Sequence, residues 1–573
     1  MGAYDQPVSV FYVKHPNDRA PDLACCGCII LQEYDIIYND GIRQEEHICP
    51  PVKSFARKRG FLMKIKGINE YISVLESNGI IACTDLAGTD GTAPVRYISY
   101  NSMDVEEGTL FICKGANFRP QYLDDAIEKG AFCYVAENEI KKDFPHIIVS
   151  DMRKAMSEIG RLYYDAIWND KLQMVGLTGT KGKSTTATFI KSIIDDYCAD
   201  KGEKEAGFIS GIYNYNGDRK VKAKKMTTPE TLQLHKLLAQ CAQNGCRYLV
   251  METSSQALKY ERTEALDYSV AVFLNISEDH ISDREHPDIE DYFQSKLKIF
   301  DQCRTGCVNL DTDPRYLDRV LERARARCSK VITFTTRESM KEKADLYGYD
   351  ISSTPSTVEF RLKYGQETEK IKVSIGGSYN ASNALAAIAA ALALDIPMKY
   401  IRSGLAHVKV AGRMELYHMN HKDVDVIVDY AHNKLSYMTL FENIRKLYPD
   451  RKILLVFGCH GDKAYNRRKD LGQLANIYAD KIILTEQDPG TESVADICDQ
   501  VRRYIDDDKL LAVITDRGEA IAQACRVIED GWVMVIAGNG ADGYQKRGLS
   551  YVELPTDGER VQEYISKHDR QTL

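Results

Sequence analysis

Residues Gly176 to Thr186 read GLTGTKGKSTT, an apolar strand end that passes into a glycine-rich loop and a helix start. Backbone N–H groups in such a loop, together with a helix N-terminus, can aim at phosphate oxygens. The candidate nucleotide ligands are Gly179, Thr180, Gly182, Lys183, Ser184 and Thr185, with Lys183 to neutralise the outer phosphates and Ser184 to bind magnesium. The first glycine stands one residue further from Gly-Lys-Ser than the common phosphate-loop spacing allows. A glycine-rich strand-to-helix turn can also be plain punctuation; the Gly-Lys-Ser-Thr-Thr ending argues against that here.

Other reactive side chains follow. Glu252 ends the apolar run YLVME, and His280 lies just past YSVAVFLNI. A carboxylate and an imidazole at the ligand edge of a sheet suit magnesium and its phosphate, although His280 alone reads equally as structural. In DYFQSKLKIF, Lys296 shares a helix face with Tyr292 and Phe300 at four-residue spacing, a setting in which lysine usually snorkels. Cys25, Cys26, Cys28 and Cys49, with His47 nearby, make the one cysteine cluster. Its Cys-Gly-Cys gap is tighter than zinc spacing and no second clean pair follows, so zinc is set aside.

These residues need strand ends to stand on. The strand LQMVGLTGT leads into the helix STTATFIKSIIDDYC, and CRYLVMET and YSVAVFLNI are later strands of the same α/β unit. Before it, TLFICKG, the helix QYLDDAIEKGA and FCYVAE read as a small α/β domain from Met63 to about Trp168. After VAGRMELYH, the strands VDVIVDYAH, RKILLVFGCHG, DKIILTEQDP, LAVITD and WVMVIAGNG alternate with helices, which predicts a mostly parallel third sheet. Ligands of such sheets sit beyond the carboxyl ends of the strands.

The whole chain agrees with a multidomain enzyme: its 573 residues with 44% hydrophobic content fit about three domains. A formal net charge of -8 gives no footprint for nucleic acid. The apolar run ALAAIAAALAL, Ala384 to Leu394, suits a buried helix and is too short for a membrane span. The charged, proline-containing start does not read as a signal peptide. A cytoplasmic location is expected, with the 16 cysteines mostly reduced.

The pattern G-x-T-G-T-x-G-K-[ST]-T resembles the loop of the Mur ligase family, ATP-dependent enzymes that add amino acids to the peptidoglycan precursor. TTPE (Thr227 to Glu230), METSSQAL (Met251 to Leu258), LNISEDHI (Leu274 to Ile281), GSYNASNALAA (Gly377 to Ala387), GRME (Gly412 to Glu415) and DYAHN (Asp429 to Asn433) resemble the family in order. The resemblance runs from about residue 65 to the end and is nearest to the MurE type, which adds the third residue. It implies an α/β fold of three domains: a small N-terminal α/β domain at 63–168 that binds the UDP substrate, a central P-loop ATPase-like domain at 169–409, and a C-terminal Rossmann-like, amino-acid-binding domain at 410–573. Residues 1–62 are then an extension.

The resemblance also implies roles. The chemistry would be attack of an acceptor carboxylate on the ATP γ-phosphate, giving an acyl phosphate that an incoming amine displaces. Lys296 falls in the family's Y-x-x-x-K-x-x-x-F pattern, whose lysine is carbamylated; with Ser184, Glu252 and His280 it would hold magnesium. Asn309 would lie near adenine, Arg413 near the γ-phosphate, and Asp429 near the ribose or phosphates, unless Asp429 is a solvated strand-end acid. The acceptor would be UDP-N-acetylmuramoyl-L-alanyl-D-glutamate, met by Thr227, Thr228, Ser255 and Arg262. In the uridine motif Asn101 and Met103 replace an acid and an arginine, so only Ser102 carries over.

The amino-acid end departs most. QDPG (Gln487 to Gly490) stands where diaminopimelate-adding members carry Asp-Asn-Pro-Arg, and Lys463 stands for an arginine, losing bidentate geometry. Gly538 and Asp542 lie in GNGADGYQ, which replaces Gly-Lys-Gly-His-Glu. Without the motif arginine at Gly490, L-lysine or L-ornithine is favoured over meso-diaminopimelate, with Asp488, Glu492 and Asp542 as ammonium partners. The expected partners are therefore a UDP-muramoyl dipeptide and a free amino acid, with no nucleic acid, no membrane and a monomeric chain. The competing readings are a similar ligase with another acceptor or amine, and a nucleotide-binding protein that has lost turnover.

Overall fold

The computed structural model describes residues 55–58, 61–115, 118–223, 226–279, 281 and 285–568. The cysteine cluster at Cys25 to Cys49 and the candidate ligand His280 lie outside the described residues.

The phosphate-loop strand Gln173–Thr178 sits inside an 11-stranded sheet, paired in parallel with Tyr248–Glu252 on one side and Tyr268–Phe273 on the other. Helices cover a central parallel strand on both faces, so it cannot alternate polar and apolar residues; from Met174 to Thr178 this strand is buried throughout. Cys303–Asn309, Lys330–Thr335 and Leu346–Ser353 extend the parallel run. Both ends turn antiparallel, with Tyr213–Tyr215 and Lys220–Lys222 at one edge and Val358–Tyr364 and Glu367–Val373 at the other. The alanine-rich run becomes the buried helix Asn380–Ala393, and no helix among the described residues is long and apolar enough to cross a membrane.

The N-terminal sheet has five strands, ordered Ile81–Asp85, His146–Val149, Ala131–Ala136, Thr109–Ile112, Tyr97–Ser99. Ile81–Asp85 pairs antiparallel and the rest are parallel. The C-terminal sheet has six strands, ordered Glu415–Met419, Val424–Asp429, Val533–Ala537, Ile453–Phe457, Lys481–Leu484, Leu510–Val513. It is parallel except for its first strand, as the strand-helix alternation predicts. Apolar packing is continuous across these units: Ile68, Leu110 and Trp168 join one cluster with Leu249 and Phe273, while Val175 and Phe189 join another with Ile427 and Phe457.

Candidate active site

Gly182 takes the left-handed conformation (φ 83°) that opens the helix Lys183–Asp200, a geometry that favours a residue without Cβ. A Cβ on Gly179 would stand 2.8 Å from that of Leu274, so the loop's backbone hugs the neighbouring strand. Asn275 pins it there. Its Oδ1 accepts from the N–H groups of Thr180 (3.0 Å) and Lys181 (2.9 Å), and its Nδ2 donates to the Lys181 carbonyl (3.1 Å). Thr180 Oγ1 accepts from Ser277 N–H at 3.0 Å and takes the Tyr292 hydroxyl at 3.3 Å. Ser184 and Thr185 are buried in the first turn of the helix.

Two ammonium groups share one carbonyl. Lys183 Nζ donates to Gly179 O at 2.8 Å and Lys296 Nζ donates to the same oxygen at 3.0 Å. Lys296 comes from the far end of the helix Ile289–Leu297, is 1% exposed, and lies 4.4 Å from the Tyr292 ring centroid. This excludes snorkelling, in which the charge would reach water. Burial, and then the Lys183 ammonium, hold the Lys296 amine well below the usual lysine range. Burial also lowers Lys183, with Glu252 opposing the shift. Glu252, buried at the end of its strand, accepts from Gly211 N–H at 3.0 Å.

The donor set fits a nucleotide with magnesium. Two cations and a helix N-terminus attract phosphate, while the Ser184 hydroxyl and Glu252 carboxylate are hard oxygen ligands. Magnesium needs few protein ligands because it keeps water and phosphate oxygens. Among the described residues, no group of three or more His, Cys, Asp or Glu side chains is arranged to hold a metal by itself.

Beside Glu252 lie the acceptor candidates. Thr228 Oγ1 donates to Glu252 O at 2.9 Å and accepts from Ser254 N–H at 3.0 Å. A Cβ on Gly211 would come within 3.6 Å of Thr227 Oγ1 and 4.0 Å of Glu252 Oε1. Arg262 pairs with Glu230 at 2.8 Å, and Lys114, from the N-terminal sheet's side, meets the other oxygen of Glu230. Ser255 belongs to a relay absent from the sequence reading. Its hydroxyl lies 3.0 Å from His286 Nε2, His286 Nδ1 lies 2.5 Å from Asp291 Oδ2, and Lys259 ion-pairs with that carboxylate at 2.7 Å. Ser102 is buried in the turn Ser102–Asp104; Asn101 caps that turn through Met103 N–H at 3.1 Å, and Met103 is exposed.

The C-terminal unit brings Arg413 and Asp429 to the same side. Arg413 is near enough to Lys183 to disfavour its charge, and its guanidinium stacks over Tyr430 at 4.2 Å. Asp429 is not a solvated acid: it is buried, and its two oxygens accept from Met414 N–H and Ala431 N–H, each at 2.8 Å. Burial raises its carboxyl pKa. Asn309, at its strand end, donates to Leu274 O at 2.9 Å and Ser382 Oγ at 3.2 Å. His432, given no role by the sequence, holds Tyr430 O through Nδ1 at 2.8 Å and lies 5.9 Å, ring to ring, from His460. Burial holds its pKa well below the usual histidine range, with a smaller push from His460.

The QDPG and GNGAD loops meet. A Cβ on Gly538 (φ 118°) would reach 2.8 Å from Gln487 Nε2. Of the ammonium-partner candidates, Asp488 is buried and accepts from Lys546 N–H at 2.9 Å, and Glu492 is engaged by Arg468 at 2.8 Å. Gly490 has φ 60°, and a Cβ there would stand 2.1 Å from Asp462 Oδ2. Asp462 is itself held by Thr491 Oγ1 (2.6 Å) and Lys546 Nζ (3.0 Å), which keep its carboxyl down at about 2. Lys463 is exposed beside it. Asp542 lies close enough to Tyr430 to raise that phenol.

With this geometry in view, the chain matches the Mur ligase middle domain over residues 177–391 and the Mur ligase glutamate ligase domain over residues 412–540. It is 35% identical to the UDP-N-acetylmuramoyl-L-alanyl-D-glutamate–L-lysine ligase of Enterococcus faecalis, over 83% of this chain and 92% of that one. It is 36% identical to a UDP-N-acetylmuramyl-tripeptide synthetase of Limosilactobacillus reuteri, over 84% and 95%. Among solved structures, a UDP-N-acetylmuramoyl-L-alanyl-D-glutamate–2,6-diaminopimelate ligase shares the fold with TM-score 0.58 and 23% identity, covering 85% of this chain and 97% of that one.

Proposed function

Because this chain belongs to the Mur ligase family, we propose that it joins L-lysine to UDP-N-acetylmuramoyl-L-alanyl-D-glutamate at the expense of ATP, as the third residue of a peptidoglycan precursor made in the cytoplasm by a monomeric enzyme. The observation that carries the reading is the convergence of Lys183 and Lys296 on the Gly179 carbonyl beside Glu252. Phosphoryl transfer needs positioning and charge neutralisation more than covalent help, and this is a cationic, water-poor setting built for both. Related proteins named as L-lysine ligases support the amine, as does the glycine at position 490.

In this reading residues 63–168 bind the UDP end, 169–409 the nucleotide, and 410–573 the amino acid, with 1–62 as an extension. The glutamate carboxylate attacks the γ-phosphorus and ADP leaves; the amine then attacks the acyl carbon and phosphate leaves. Lys183 and Arg413 stabilise the transferring phosphoryl group, and Asn309 and Asp429 fix the nucleoside side. Thr227, Thr228, Ser255 and Arg262 hold the acceptor, with Ser102 toward uridine. Asp488, Gly490, Gly538, Asp542 and Lys463 frame the amine pocket. Ser184 and Glu252, with His280 and a carbamylated Lys296, would hold magnesium, which supplies charge neutralisation at the phosphates. The complete burial of Lys296 beside Lys183 supports carbamylation, because an anionic carbamate would replace one of two like-charged amines that meet at a single carbonyl.

The test is phosphate release with ATP, magnesium and the UDP-muramoyl dipeptide against L-lysine, L-ornithine and meso-diaminopimelate. Turnover with L-lysine above the other two is the expected result. Turnover with diaminopimelate alone would overturn the amine assignment, and silence from ATP-binding protein across the panel would overturn the acceptor.

A further inference from the structure

Away from the nucleotide and acceptor sites, Cys303 opens the strand Cys303–Asn309 and Cys328 caps the helix Pro314–Arg327, two residues before the strand Lys330–Thr335. These strands pair in parallel with Thr305 opposite Lys330, and Ser329 N–H donates to Arg304 O at 2.9 Å. Carrying the register back two residues sets Cys303 beside Cys328. Neighbouring strands stand about 4.8 Å apart, within the roughly 4.4–6.8 Å Cα separation that a disulfide spans. The side chains already face each other: the two Sγ atoms are 3.3 Å apart, and they contact the same Phe300 carbonyl at 3.8 and 3.9 Å. Closing to a bond of about 2.0 Å asks for side-chain torsion and no strand rearrangement.

Access and reactivity differ between the two sulfurs. Cys328 is partly exposed and Cys303 is buried. Either sulfur can donate in the hydrogen bond between them, and the partly exposed Cys328 is the one a solution reagent can reach, which makes it the nucleophile because the thiolate is the reacting form. A second close pair, Cys241 and Cys246, is buried on both sides and has no such opening.

We propose that Cys303 and Cys328 form a dithiol modification site that small-molecule disulfides of the glutathione class oxidise reversibly to an intramolecular disulfide. Cys328 thiolate attacks one sulfur of the small disulfide, forming a mixed disulfide and expelling one thiolate. Cys303 then gives up its proton to solvent and attacks Cys328 Sγ, closing the protein disulfide and expelling the second thiolate. Two protein thiols are oxidised and one small disulfide is reduced to two thiols. The site lies at the start of the strand that ends in Asn309, so the bond staples two interior strands at their amino-terminal ends, whereas the phosphate loop follows the carboxyl end of its strand.

The experiment exposes the folded full-length chain to glutathione disulfide, quenches with acid, alkylates and maps peptides. A peptide joining Cys303 to Cys328, lost on reduction, is the expected result, with Cys241 and Cys246 left as thiols. Cys303→Ser should stop at a glutathione adduct on Cys328, and Cys328→Ser should give neither the adduct nor the bridge, with melting curves showing that both variants fold. Exposed Cys83 serves as the internal reference thiol. Modification of Cys83 with Cys303 and Cys328 untouched would overturn the proposal. So would an adduct that persists on Cys328 in the unsubstituted protein, or a Cys303 that reacts in Cys328→Ser as fast as Cys328 does in Cys303→Ser.

Discussion

The phosphate-loop edge and the edge formed by the QDPG and GNGAD loops, proposed to bind the amino acid, are built from different materials. At the first, position is set by backbone: a left-handed Gly182, a Gly179 pressed on Leu274, and Asn275 clamping two loop N–H groups. At the second, position is set by side-chain charge: Asp462 held by Lys546 and Thr491, Glu492 by Arg468, and Glu486 by Arg547 at 2.6 Å. A backbone cradle serves any nucleoside triphosphate, whereas a charge network can be rewired to a new amine. On the proposed function, the difference separates chemistry from selectivity.

The comparison breaks most severely if the first edge tolerates loss of charge. Lys183→Ala should lower amine-dependent phosphate release by about 1,000-fold, of the size seen when a charge-stabilising group is removed from a transition state, while circular dichroism stays unchanged. A drop below about tenfold would mean that Arg413 already supplies the charge.

At the second edge, restoring the motif arginine should fail. Gly490→Arg places a Cβ against Asp462 and forces a non-glycine residue to φ 60°, which costs about 1–3 kcal/mol of stability. It should lower the melting temperature without creating turnover on meso-diaminopimelate. Adding Asp462→Ala should recover part of the stability by clearing the steric block. If Gly490→Arg alone melts like the parent and accepts diaminopimelate, selectivity resides in one side chain and the network account fails.

What the sequence made legible follows the same divide. GLTGTKGKSTT and METSSQAL announce themselves because glycine spacing and an apolar strand followed by a carboxylate are local patterns. The Ser255–His286–Asp291 relay was not legible, because its members lie on separate segments that only the helix Ile289–Leu297 packed beside Ser255–Lys259 brings together. The hairpin strands Val358–Tyr364 and Glu367–Val373 have no counterpart in the motifs read from the sequence, although Val358, Phe360 and Leu362 alternate at period two. Asp429 read as an ambiguous strand-end acid, since nothing in DYAHN reveals that Met414 N–H would come to meet it.

The relay offers a smaller effect that sharpens the boundary between the edges. With Nδ1 on Asp291, the His286 imidazole can accept the Ser255 proton at Nε2 and leave the Ser255 oxygen free to accept from the acceptor. Asp291→Asn should raise KM for the UDP-muramoyl dipeptide about tenfold, or about 1.4 kcal/mol, with kcat less affected. An equal fall in kcat with KM unchanged would move the relay from positioning to chemistry.

The smallest expected effect lies at a junction that belongs to neither edge. His235, on the helix Thr231–Gln243, packs 4.9 Å from Trp168, and neither ring nitrogen has a hydrogen-bond partner among the described residues. Burial lowers its pKa from 6.5 to about 3. The unfolded chain therefore binds a proton below about pH 6.5 that the folded chain refuses, so this contribution is intact above that pH and is lost as pH falls. The loss should be about 1 kcal/mol at pH 6 and grow toward pH 3. Urea unfolding midpoints from pH 8 to pH 5 should fall for the parent and fall less steeply for His235→Phe, whose ring fills the space without titrating. Because the residue touches neither edge, phosphate release by folded His235→Phe should keep the parent's KM for ATP and for lysine; a shift in either would show that the junction and the sites are coupled.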